Sequence, residues 1–318
     1  MRTHLIILLV TLTFGSAASA SAAGGNVQPL DEVTVVGKTD RPTLNREIQQ
    51  FVQSHARPSA LIGQIGRWRE KVCPAVTGLQ GAAAEFVSHQ IQNVARRVGA
   101  PSVTSGKKCS ANIEVLFTGE PQALLDQIAA KYPPLLGYYR KSELKQVTTF
   151  NHPVQAWYMT GTRSLDAGLP DQPPTGPVSS DILSIINTGL KPDSAYSDGS
   201  LGLGASGNPE SRLSKGLRSE FMHVLIIVDS KAVAKYSVRS ISDYIALLAL
   251  TRVGSRDTCS GLSSILTLFD AGCGQPPVEI TSADTAYLKA LYGANLDMNL
   301  ALEQGDIREQ MLHTISSR

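Results

Sequence analysis

Apolar residues change their spacing several times along this chain, and each change marks an element. Ile48, Phe51 and Val52 stand at helical spacing once the pattern turns regular at Glu47, and that helix ends near Arg57-Pro58. Trp68 to Val72 reads as a strand whose alternate positions Arg67, Arg69 and Lys71 share one face, as strand side chains alternate sides. That basic row is a solvated sheet face or, at most, an anion contact. Ala82 to Val98 is the clearest amphipathic helix, with Phe86, Val87, Ile91, Val94 and Val98 as its buried stripe and Gly99 placed to end it. Ala111 to Thr118 carries Ile113, Val115, Leu116 and Phe117 with little alternation, which marks a strand buried on both faces. Pro121 opens a helix to about Lys131, and Pro133-Pro134 stops it. Val154 to Thr160 is a further strand, in which Trp157 and Tyr158 need hydrogen-bond partners once buried.

Between Gly161 and Gly216 the pattern dissolves into Pro, Gly, Ser and Asp, with one apolar piece at Ile182 to Ile186. A loop of such length is a natural place for ligand or partner contact. Phe221 to Val228 is then a strong strand, and Asp229-Ser230-Lys231 turns it toward a second run, Val233 to Val238. A helix follows over Ile241 to Val253, capped by Ser240 or Ser242. Two more helices cover Ser282 to Tyr292 and Leu302 to Ile315. Ser282 with Thr285 is not a capping box, though Ser282 and Asp284 suit a helix start. This order predicts an α+β (or α/β) fold: a mixed sheet packed on helices, with a helical C-terminal part.

The first residues change the setting. Leu5 to Phe14 is apolar apart from two threonines, follows a short start with Arg2, and precedes the small residues Gly15 to Ala23. This is the layout of a secretory signal peptide cleaved after Ala20 or Ala22. The run is too short to cross a bilayer, which takes roughly 20 apolar residues, and no later run is long enough. The chain therefore divides into a signal peptide (1–22), a flexible leader (23–44), an N-terminal α/β part (45–160), a long loop or linker (161–216) and a C-terminal strand-helix part of the same domain (217–318). An exported protein results, periplasmic or secreted. Within the leader, Asp31-Glu32-Val33-Thr34-Val35-Val36-Gly37-Lys38 resembles the TonB-box stretch of outer-membrane receptors, which pairs as an added strand with a partner's sheet. No series of barrel strands follows it.

The 29 basic residues against 27 acidic ones leave a formal charge of +2, with no basic stripe, so nucleic acid is not a partner. Four cysteines in an exported chain read as two disulfides, and spacing favours Cys73 with Cys109 and Cys259 with Cys273. No paired short spacing of the zinc-finger kind occurs. Gly202, Gly204 and Gly207 spell G-x-G-x-x-G, but Asn208-Pro209 follows where a dinucleotide fold needs a helix start. Gly204-Ala205-Ser206-Gly207 lacks the strand-turn-helix setting of a nucleophile elbow. His223 has Glu220 and Asp229 nearby, yet in a regular strand Glu220 and His223 point to opposite faces.

The C-terminal half nevertheless resembles the metzincin-like zincin metallopeptidases. The resemblance runs through Ile241 to Leu250, then Ser263-Ser264-Ile265-Leu266, then Ile280-Thr281-Ser282-Ala283-Asp284, then Leu288-Lys289-Ala290-Leu291-Tyr292-Gly293. Arg67-Trp68-Arg69, the long helix and Ala111 to Phe117 are similar to pieces of exported bacterial families with a zincin-like layout. The resemblance implies a zinc site of the H-E-x-x-H type, in which two histidines four apart on one helix hold the ion and the Glu activates its water. Here Ser242 and Ala246 stand at the histidine positions and Asp243 at the Glu position, and none of the six histidines forms an i, i+4 pair. The expectation is a pseudoenzyme with no catalytic residue, metal or cofactor. Its candidate binding residues are Ser242, Asp243 and Tyr244, and its partner is an envelope protein or peptide ligand. The competing reading is a metal-independent hydrolase acting on an envelope polymer or peptide.

Overall fold

Two faces of one small sheet explain why its strands read as continuous apolar runs. The computed structural model describes residues 40–59, 62–103, 109–137, 139, 141–164, 217–254, 259, 261–295 and 298–317, which fall within one compact unit, Asp40–Arg318. The stretch read as a signal peptide, the Asp31–Lys38 segment and the Gly202–Gly207 motif lie outside the described residues. Helix α1 (Arg41–His55) is followed by β1 (Pro74–Thr77), α2 (Ala82–Val98), β2 (Ile113–Thr118) and α3 (Pro121–Lys131). A short α4 (Leu144–Val147) leads into β3 (Val154–Ser164) and β4 (Leu217–Asp229). Then come α5 (Ser230–Val233), α6 (Val238–Leu250), α7 (Ser282–Gly293) and α8 (Leu300–Ser316).

The sheet order is β1-β2-β4-β3, with β1, β2 and β4 parallel and β3 antiparallel to β4. The fold is thus α+β with a mixed four-stranded sheet. Alternate residues of β4 serve different cores: Val224, Ile226 and Val228 join the large cluster with α1, α2, α6, α7 and α8, while Leu225 and Ile227 join a smaller one. The smaller cluster is closed by Leu125 and Ile128 of α3 and by Leu135 and Leu136 of the 3₁₀ turn Pro133–Leu136. Helix layers on both sides leave the central strands no solvent face, which is why their sequences do not alternate.

The helical periodicity located α2 and α3 at their observed bounds, and Gly99 ends α2 in the left-handed conformation with φ near 80°. Trp157 and Tyr158 find partners: the indole N–H donates to Val147 O at 2.8 Å, and the phenol donates to Leu248 O at 2.8 Å. Both expected disulfides are present, Cys73–Cys109 and Cys259–Cys273. In the chain-entropy account, loops of these lengths stabilise the fold by roughly 3 to 4 kcal/mol each. Among the described residues no helix is long and apolar enough to cross a membrane.

Several local expectations are corrected. Trp68 to Val72 is not a strand: Arg67 and Val72 make only isolated bridges, and the neighbouring strand is the four-residue β1, with a proline at its start. The basic row does not exist, since Arg67 is buried while Arg69 and Lys71 are exposed. Val233 to Val238 is not a strand either, because the Asp229 carboxylate accepts from Lys231 N and Ala232 N and starts α5. Helix α6 begins three residues before the expected start, capped by Ser237 rather than Ser240 or Ser242. Helix α1 likewise reaches back into the stretch read as leader, because Asp40 caps it by accepting from Thr43 N. A capping box does open α7, shifted by one residue from the pair weighed in the sequence: Thr281 and Asp284 satisfy each other's backbone N–H groups.

Candidate functional site

Helix α6 carries every binding residue expected from the sequence, and the fold encloses all of them. Ser242, Asp243, Tyr244 and Ala246 each have 0% exposure. Their polar atoms are already engaged. The Ser242 hydroxyl donates back to Val238 O at 2.6 Å. The Asp243 carboxylate accepts from Gln90 Nε2 of α2, from Arg239 Nε at 3.2 Å and from the Ile280 N–H at 3.1 Å. Asp243 therefore joins α2, α6 and the segment entering α7. Tyr244 stacks on His152 with ring centres 5.9 Å apart and meets Phe269 edge-on at 4.8 Å. A zinc ion of the resembled family does not fit here. A hydroxyl that donates to a backbone carbonyl, a methyl group and a fully hydrogen-bonded carboxylate offer no imidazole and no open coordination position.

A second constellation brings together a histidine, a serine and an aspartate from three distant segments. His55 Nε2 lies 3.1 Å from Ser264 Oγ, and that hydroxyl donates to Asp284 Oδ1 at 2.6 Å. Asp284 also accepts from Ile265 N at 2.9 Å, Thr281 N at 3.0 Å and Thr281 Oγ1 at 2.9 Å. In a catalytic triad the imidazole stands between serine and carboxylate so that it can take the hydroxyl proton. Here the serine stands in the middle and gives its proton's hydrogen bond to the carboxylate, so the trio is a clamp between α1, the Ser264 loop and α7. Exposures of 4%, 3% and 0% for His55, Ser264 and Asp284 keep substrate out.

Burial pushes the His55 pKa down from its ordinary value of 6.5, against the opposing pull of Asp284 and the Phe51 carbonyl. Folding thus disfavours the protonated imidazole relative to the unfolded chain, which takes up its proton near the ordinary value. Stability from this group is complete above pH 6.5 and is lost as pH falls through the lowered folded value. Urea unfolding of wild type and His55→Gln from pH 8 to 5 should show a steeper acid decline in the wild type. Equal slopes would exclude His55 as the source.

The third constellation lies on the opposite face of the sheet. Glu114 of β2 is the register partner of Leu225 in β4, so His223, two residues earlier, shares its face. His223 Nε2 stands 3.6 Å from Glu114 Oε1, and both side chains are 4% exposed. Both carboxylate oxygens and both ring nitrogens lack a hydrogen-bond partner. Glu220, the neighbour considered in the sequence, is engaged by Arg218 Nε at 2.8 Å. The assumption of a regular strand does not hold, because the β3–β4 register shifts between Met159 and Thr160. Phe221 consequently joins the large core, while His223 stays on the face of the small one. Asp229, at the far end of β4, caps α5.

Cys259, Asp270 and Cys273 also bring ligand-type atoms within 4.8 Å of one another, but the two sulfurs are joined as a disulfide. The sequence reading missed His55, Asp284 and Glu114 as members of clusters. Only Asp284 left a local signal, in Thr281-Ser282-Ala283-Asp284, a cap residue followed three positions later by an acid.

No family model matches this chain. No curated protein and no solved structure matches it either. The functional reading therefore stands on the residues and their geometry.

Proposed function

We propose that this is an exported cell-envelope protein whose zincin-like domain is catalytically inactive and serves as a binding or scaffold domain for an envelope protein or peptide. The observation that carries the reading is the Asp243 clamp. Residues 240–250 of the helix that holds the zinc in the resembled family are here buried, and its one carboxylate is consumed by Gln90, Arg239 and the Ile280 N–H. Two disulfides support an oxidising compartment outside the cytoplasm. The serine-centred order of His55, Ser264 and Asp284 counts against the hydrolase alternative in the same way.

The test is activity against peptide substrates with and without chelator, together with serine-reactive probes on the purified chain. We expect no chelator-sensitive cleavage and no stoichiometric labelling. Chelator-sensitive peptidase activity would overturn the reading in favour of a working zincin, and labelling of a single serine would overturn it in favour of a hydrolase.

A further inference from the structure

We propose that Glu114, His223 and Met159 form a site for one late first-row transition-metal ion, with copper preferred. Three adjacent strands supply the donors: Glu114 from β2, His223 from β4 and Met159 from β3. Their register puts them on one face. Glu114 pairs with Leu225, His223 precedes Leu225 by two residues, and Met159 is the direct antiparallel partner of His223. Side chains of a direct antiparallel pair have Cβ atoms about 5 Å apart, within easy reach for a methionine.

The anomaly that needs an occupant is the state of the two buried groups. A carboxylate and an imidazole, each 4% exposed, are left with four polar atoms and no hydrogen bond among them. Buried polar atoms are ordinarily satisfied, and unsatisfied ones mark a missing water, an ion or a functional group. The 3.6 Å between Nε2 and Oε1 is too long for an N–H···O hydrogen bond, which lies near 2.9 Å. It suits two atoms that each bind one ion: ligands at about 2.0–2.1 Å and a wide tetrahedral angle are roughly 3.5 Å apart.

Donor chemistry then narrows the ion. One carboxylate and one imidazole suit zinc or copper alike, and a thioether tilts the choice to copper. Two of the chain's five methionines, Met159 and Met222, flank His223, one across the strand pair and one in sequence. The register shift beside Met159 is the kind of irregularity that re-aims side chains next to a site. Met159 is only half-buried, which gives the ion a way in from the β3 side. The ion needs no role in catalysis, so this site is independent of the proposed lack of peptidase activity.

The experiment uses the tag-free mature chain, stripped of metal and titrated with Cu⁺ under reducing conditions that spare the disulfides, with Zn²⁺, and with Ca²⁺ as control. One equivalent of copper should bind and raise the unfolding temperature, with zinc weaker and calcium without effect. Met159→Leu should weaken copper at least about tenfold and leave zinc nearly unchanged, as expected for loss of a soft ligand. Glu114→Leu combined with His223→Leu fills the site with apolar groups, so it should fold, by circular dichroism, and bind neither metal. Asp270→Asn should bind like wild type, which separates this site from the disulfide loop. Failure of the wild type to bind, or binding that survives the folded double-leucine variant, overturns the proposal. Copper affinity unchanged in Met159→Leu overturns the assignment of Met159 and the copper preference. Bound metal without peptidase activity sustains both this site and the proposed function, whereas metal-dependent cleavage abolished by the double-leucine variant would sink the proposed function alone.

Discussion

Asp284→Ala should lower stability by about 4 kcal/mol, since four donors lose one buried acceptor at roughly 1 kcal/mol or more apiece. Those donors are Ser264 Oγ, Ile265 N, Thr281 N and Thr281 Oγ1. These donors are shut off from bulk water, because Asp284 has 0% exposure and Ser264 only 3%. The loss combines a helix cap with a tertiary clamp. Removing the capping box alone costs about 1 kcal/mol, and the rest comes from releasing the Ser264 loop and its contact to His55. In a domain of this size the thermal midpoint should fall by on the order of 10 °C. Asp284→Asn keeps one oxygen acceptor and should cost about half as much. An unfolding free energy for Asp284→Ala, from denaturant titration, within about 1 kcal/mol of wild type would show that the clamp does not hold α7 in place.

Arg67→Met should be the next most damaging change, at about 3–5 kcal/mol, the usual cost of leaving one partner of a buried ion pair uncompensated. The Arg67 guanidinium donates to the carbonyls of Leu291 and Ala294 at the end of α7 and to the Glu303 carboxylate of α8. The other Glu303 oxygen accepts from the Ile65 N–H at 3.0 Å. Burial pushes the Glu303 pKa up, and Arg67 is the main group pulling it back. Without Arg67 the carboxylate would be left enclosed with only the Ile65 N–H to offset its burial penalty. The double variant Arg67→Met with Glu303→Leu should therefore recover a large part of the loss, because paired apolar replacements remove the desolvation cost of both ions. Additive losses in the double-mutant cycle would mean that the two side chains do not act as a pair.

These two predictions show what kind of information was legible before folding. Arg67 lay in plain view as one of three alternating cations, and the sequence placed it on a solvated strand face. What withdrew it from water was a glutamate 236 positions away, which no local pattern can announce. Asp284 was legible as a helix-start acid beside Ser282, but its capping box with Thr281 and its bond to the Ser264 loop were not. The Ser242, Asp243 and Tyr244 group was identified through its place on a helix that resembles a metal-binding one. Period alone could not say that α2 would supply Gln90 and enclose Asp243.

The sequence by itself determined the long helices α2, α3 and α8 and the central strands β2 and β4, favoured the two disulfide pairs that form, and narrowed the class to α+β or α/β. The elements follow from a local period or a helix-ending residue and need no knowledge of what packs where, while the choice among three cysteine pairings rested on spacing alone. Tertiary structure alone decided the parallel alignment of β1, β2 and β4, the fate of the buried charges and the meeting of Glu114 with His223. The physical reason is that a buried polar group is stable only with a partner, and partners arrive from whichever segments the sheet and its two helix layers bring together. The four-residue β1 belongs with these, since a strand that short is stabilised by its neighbour β2 rather than by its own sequence.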